Sequence, residues 1–174
     1  MHWPPPVTHV AAAVLALLAA FSDIRQRRVP NTLTFGAALV GFAMHVVLTG
    51  WSGLAFALAG CAVGLLLFLP VFALGGMGAG DVKLLAAFGA WLGPLGVLWT
   101  AFYGVVAGGV MALAVSLARG YTRIAMRNVG RLLLSWLLGG VRPVEGVTLC
   151  SSAGPRLPYA VPLAVGAMLA VWLE

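Results

Sequence analysis

The sequence predicts an all-α polytopic membrane protein, with about six transmembrane helices packed as one bundle. Three observations carry this prediction. Only 8% of the 174 residues are charged while 62% are hydrophobic, and the mean hydropathy is +1.06. A soluble domain carries about 25% charged residues, so this chain has too few to cover its own surface in water. The apolar residues also come in long stretches, which makes the bilayer the natural solvent. Finally, the ten basic residues lie between or beside those stretches, in places that a six-helix count puts on one membrane face. Twenty-three glycines and ten prolines agree, since both are commoner in membrane helices than in soluble ones.

The first apolar stretch covers residues 7–21 and is short against the roughly 20 residues that cross a bilayer core. The N-terminal sequence lacks the basic flank of a signal peptide, so this stretch reads as a retained first helix. Asp23 and the cluster Arg25, Arg27 and Arg28 end it, and Pro30-Asn31 marks a turn and a helix start. A second helix is expected over 32–48, closed by the uncharged turn Thr49-Gly50-Trp51-Ser52-Gly53, and a third over 54–74. The run Gly75-Gly76-Met77-Gly78-Ala79-Gly80-Asp81 is too irregular to be helical throughout. A fourth helix begins near Val82 and breaks at Gly93-Pro94, a fifth covers 95–117, and the last covers 158–173. Nothing marks a second domain, so residues 1–174 read as a single membrane-embedded domain.

Arg25, Arg27, Arg28, Lys83 and the arginines from Arg119 onward fall on one face under this count. The connections near Trp51 and Pro94 carry no charge. The basic face is expected to be cytoplasmic, with both termini outside. Between the fifth and last helices, Arg119, Arg123, Arg127 and Arg131 recur every four residues and so share one side of a helix. Leu132, Leu133, Leu134, Trp136, Leu137 and Leu138 follow, which fits either an amphipathic helix on the bilayer surface or an extension of the fifth helix. The net charge of +6 therefore points to anionic lipid and not to nucleic acid. Cys61 lies in an apolar run and Cys150 in a loop, with no CxxC spacing, so neither zinc nor a disulfide framework is signalled. His2, His9 and His45 show no ligand spacing, so no metal and no cofactor is expected.

The chain has only four acidic residues. Glu174 is the last residue and Glu145 lies in a loop. Asp23 stands at the inner end of the first helix and Asp81 at the inner start of the fourth, so two intervening spans return the chain to the same depth. An ionisable residue beside a membrane segment is a functional candidate by default, because burying its charge is costly. Two carboxylates a few ångströms apart cannot both ionise comfortably, and such a pair shares a proton. The ionised member can then take a proton from water while the other donates to a peptide carbonyl, which is general acid–base hydrolysis of an amide. Each residue also has a plain structural reading. Asp23 before three arginines fits an interfacial residue paired in water, Asp81 fits a first-turn carboxylate at a helix N-terminus, and residues 75–80 fit a flexible turn.

The segment GGMGAGDVKLLAAFGAWLG, with Gly78-Ala79-Gly80-Asp81, resembles the GxGD motif of the type IV prepilin peptidases, membrane aspartyl proteases that share it with presenilin-like enzymes. FSDIRQRRVPN resembles that family's first-aspartate segment, and LPYAVPLAVGAM its last helix. The resemblance extends over residues 21–168. It implies that Asp23 and Asp81 are the catalytic pair. It also implies a prepilin or pseudopilin substrate, whose short basic leader is removed at the cytoplasmic face of the bacterial inner membrane. Gly78 and Gly80, lacking Cβ atoms, would let an extended substrate backbone approach Asp81. Lys83 would steady the pair's negative charge, meet an acidic residue of the substrate, or simply anchor the inner face. Larger members carry paired cysteines and an N-methyltransferase activity. The short connection from Asp23 to Pro30-Asn31 has no cysteine, so the chain resembles the protease-only form found with Tad/Flp-type pili, without S-adenosylmethionine. Two other classes fit parts of the pattern: a small cation- or proton-coupled transporter, and a non-catalytic pilus or secretion assembly subunit.

Overall fold

A computed structural model of the chain describes residues 6–120, 122–139 and 158–173. His2, Arg142, Glu145, Cys150, Arg156 and Glu174 lie outside the described residues. The described chain is helical: α1 (Pro6–Gln26), α2 (Asn31–Thr49), α3 (Trp51–Ala73), α4 (Ala79–Ala118), α5 (Thr122–Gly139) and α6 (Ala160–Leu173). Four of these, α1 to α4, are each long and apolar enough to cross a membrane, fewer than the six expected. The difference has two causes. The expected fourth and fifth helices are joined in the 40-residue α4, and α6 has only 14 residues.

The expected break is present inside α4. Gly93 has φ 72° and ψ −173°, which is non-helical, and Pro94 follows it. The Phe56 ring occupies the place where a Cβ of residue 93 would lie, so glycine is required there for both conformation and space. Residues before the break run antiparallel to α3, with Gly64 against Leu85 and Ala86, Gly60 against Gly89, and Phe56 against Gly93. Residues after it turn back, since Gly104, Gly108 and Ala112 border the same groove as Phe68 of α3 and Met77 ahead of α4. The first half of α4 is the centre of the fold. From Asp81 to Gly93 every residue but Lys83 is buried, against α1, α2, α3 and α6.

The faces that meet this central helix are chosen by size. On α3 the buried residues are Gly53, Ala57, Gly60, Gly64 and Phe68, while leucines, among them Leu66 (64% exposed), face outward. On α1 they are Thr8, Ala12, Leu15, Ala16, Ala19 and Asp23. In water an outer surface of this kind would drive aggregation. In lipid, where tails are as apolar as leucine, helices associate through close packing of small residues, which is what these stripes supply. Two hydrogen bonds tie α2 to the same core: the buried His45 Nε2–H donates to the Trp91 carbonyl at 3.2 Å, and Trp91 Nε1–H to the Ala37 carbonyl at 2.9 Å.

Two boundaries depart from expectation, and a third decides between the two readings given for residues 119–138. Helix α1 continues through Asp23 and Arg25 to Gln26, where Arg27 takes a left-handed conformation (φ 51°) and donates its N–H to the Asp23 carbonyl. The five-residue turn expected at Thr49–Gly53 is reduced to Gly50, whose φ of 67° reverses the chain at once. Helix α5 starts after a left-handed turn at Gly120 (φ 72°), so it is a separate helix and not an extension of α4, with Arg123, Arg127 and Arg131 exposed.

Candidate active site

Asp23 is the last member of the inward stripe of α1, one turn past Ala19, so the packing that seats the alanines also turns its carboxylate inward. It is 6% exposed, and its Oδ2 accepts a 2.9 Å hydrogen bond from the Ala160 N–H in the first turn of α6. The interfacial reading, a carboxylate paired in water with the neighbouring arginines, therefore does not describe this residue. Helix N-termini carry unsatisfied N–H groups and a partial positive charge, which favour an acidic partner. One of them meets Asp23 from a point 137 residues away in the chain.

Asp81 lies in the first turn of α4, directly after the glycine-rich turn. Its Oδ2 accepts the Gly78 N–H at 3.3 Å, and it is 9% exposed. The first-turn reading thus holds geometrically, and it holds together with the shared site. Asp23 and Asp81, from α1 and α4, line one cleft of about 700 Å³. Gly75, with φ 74°, turns the chain out of α3, so that Gly78 and Gly80 form part of the same wall. A Cβ on Gly78 would lie 3.2 Å from Asp81 Oδ2 and press on the carboxylate, whereas one on Gly80 would meet only Val29, at an ordinary 3.7 Å.

Lys83 also lines the cleft, although its ammonium is turned toward α2. It donates to Asn31 Oδ1 at 2.9 Å and lies 5.4 Å from the centroid of the Phe35 ring. Arg27 and Arg28 complete a basic rim on the α1–α2 connection. Two further contributors, Tyr159 and the Ala160 N–H, are not among the residues expected at the site. Their only local signal is Pro158, the residue that commonly precedes or opens a helix. Tyr159 lines the cleft beside the aspartates, and burial, with the negative charge of Asp81 adding to it, pushes its phenol above the usual range. It therefore stays protonated and able to donate.

The cleft thus holds two buried carboxylates from different helices, each bonded to a backbone N–H, with open volume beside them and a basic rim. Such a site suits proton transfer to and from a polar substrate. No curated protein and no solved structure matches the chain. A family model does match, over residues 10–113, which span α1 to the second half of α4 and include both aspartates. The chain belongs to the type IV leader peptidase family.

Proposed function

We propose that this leader peptidase-type membrane protease is an aspartyl endopeptidase that removes the leader from prepilins or pseudopilins at the cytoplasmic face of the bacterial inner membrane. The observation that carries this reading is the convergence of Asp23 and Asp81, far apart in sequence, on one cleft at one end of the bundle. The substrate class follows from the family and from the first-aspartate, GxGD and last-helix resemblances.

The chemistry needs only the two carboxylates and water. The ionised carboxylate takes a proton from water as the water oxygen attacks the scissile carbonyl carbon. The protonated carboxylate donates to the carbonyl oxygen. The tetrahedral intermediate then loses the amine, which leaves with a proton, and the pair returns to its one-proton state without a covalent enzyme intermediate. The two carboxylates titrate as a unit. Gly80 has room for a Cβ within this chain, so its lack of one serves an approaching substrate backbone better than it serves packing. No methyl transfer and no cofactor enters this reading.

The topology that fits is six crossings, with α4 counted as two helices that reverse at Gly93 and α6 as a short crossing. The basic connections, Asp23 and Asp81 then share the cytoplasmic side. Helix α5 lies on that side against anionic lipid, its arginines toward headgroups.

The direct test is incubation of the purified chain, in detergent or proteoliposomes, with a Flp-type prepilin, followed by mass analysis. Loss of the leader as a single N-terminal fragment is the expected result, and an intact prepilin would refute the assignment. In the same assay Lys83→Met is expected to slow cleavage by about tenfold at most. The ammonium is held by Asn31 and Phe35, and an exposed charge acting through solvent contributes about 1 kcal/mol. A loss as complete as that of an aspartate variant would place Lys83 in the reaction itself.

A further inference from the structure

Helix α6 packs against the second half of α4 through a row of glycines. A Cβ on Gly166 would overlap the Thr100 carbonyl oxygen and the Gly104 backbone. A Cβ on Gly104 would meet Leu163 Cδ2 at 3.0 Å, one on Gly108 would meet only Pro162, at 3.6 Å, and one on Gly109 would find nothing within 4 Å. Gly104 and Gly108 thus face α6, whereas Gly109, further round the helix, is turned away from it. Beside this contact, and lined by both helices, is a groove of about 320 Å³ that reaches Gly109 and Ala112 and has Phe68 on one side. Met77 and Tyr159 line both this groove and the aspartate cleft, so the two spaces adjoin. One carries the two aspartates and a basic rim, and the other has no charged residue in its lining and has glycine in its wall.

We infer that the groove between α4 and α6 seats the apolar helical segment of the substrate next to the scissile bond, and that Gly109 and Ala112 set which segments fit. This rests on the leader-peptidase reading given above. A peptide bond attacked at the aspartates must be in extended backbone, whose polar groups the polar residues of that cleft can partner. The adjoining residues enter lipid, where each backbone N–H and C=O needs an internal partner, so they must be helical. A helix comes closest to a wall where that wall lacks side chains, and the exposed backbone at Gly109 provides such a place. An acyl chain would also fill an apolar space. It has no need of a glycine wall, however, and no reason to be continuous with a proton-transfer site. The order of features along the track, basic rim, aspartates, Tyr159 and apolar groove, gives a substrate segment polar on one side of its cut and apolar on the other.

The test places a photoreactive benzophenone side chain at Gly109, in an Asp81→Asn background that holds prepilin uncut. The same probe at Gly36 on α2, where a Cβ also meets nothing within 4 Å, is the control. Irradiation of membranes containing both proteins should give a covalent adduct from position 109 that maps to the apolar segment of the prepilin, and none from position 36. Without the probe, Gly109→Leu in the otherwise native chain should raise KM for prepilin by about tenfold, the equivalent of about 1.4 kcal/mol, with kcat little changed. Adducts only to lipid, or an unchanged KM in Gly109→Leu, would overturn the assignment of the groove while leaving wild-type cleavage intact. Failure of the wild type to cut any prepilin would instead overturn the reading on which it rests.

Discussion

Replacing Gly89 by valine is expected to leave a chain that reaches the membrane but does not hold its bundle together. Gly89 and Gly60 meet backbone to backbone at the crossing of α4 and α3. A Cβ at residue 89 would overlap the Gly60 carbonyl and lie 2.9 Å from the Cys61 nitrogen. None of these atoms belongs to a flexible side chain, so the clash can be relieved only by moving a helix. The helix that must move is the first half of α4, buried on all sides and carrying Asp81 at its start. Overpacking costs about 1–3 kcal/mol where side chains can adjust, and more where they cannot. The expected outcome is a large drop in the melting temperature of the detergent-purified protein, or loss of monodisperse protein altogether. Gly36→Val, whose Cβ points into open space, should behave as wild type. A Gly89→Val protein that melts with the wild type would show that this crossing does not hold the fold.

The second large effect concerns chemistry and leaves the fold intact. Asp23→Asn and Asp81→Asn should each reduce leader cleavage by about 10²–10⁴-fold or more, the range associated with a positioned general acid or base. Asparagine keeps a side-chain oxygen able to accept the Ala160 N–H at position 23 or the Gly78 N–H at position 81. The bundle should therefore assemble and melt normally. What is lost is the ability to carry a proton. A variant that loses activity together with stability would not qualify, so membrane level and melting temperature must be measured beside the rate.

Much of this was legible in the sequence, for definite reasons. Charges and turn residues are sharp markers in an apolar chain, so the start of α2 at Pro30-Asn31 and the break at Gly93-Pro94 could be located from the sequence. The two aspartates stood out because acidic residues are so few. The facing of the helices was harder to read. On α3 every side is apolar, so no polar face shows which side is inward, and the buried side is distinguished by the smallness of Gly53, Ala57, Gly60 and Gly64. The same criterion applied to Ala12, Ala16 and Ala19 orients Asp23 inward, against the interfacial reading its arginine neighbours suggested. The turn at Gly50 was expected to be longer because Trp51, Ser52 and Gly53 look like loop residues. In fact Gly53 sits tight on the His45 carbonyl and Thr49 inside a helix that has already begun. Pro158 marks the helix start that supplies the Ala160 N–H, but the bond to Asp23 depends on where the last helix docks.

The central claim is that Asp23 and Asp81 act as one unit. Leader cleavage of a co-expressed Flp-type prepilin by wild type, Asp23→Asn, Asp81→Asn and the double variant, at matched membrane levels, decides whether they do. Groups that act together are non-additive when removed. Wild type alone should release the leader, and each single variant should be as inactive as the double. Cleavage that survives in either single variant, or losses that multiply in the double, would contradict the claim.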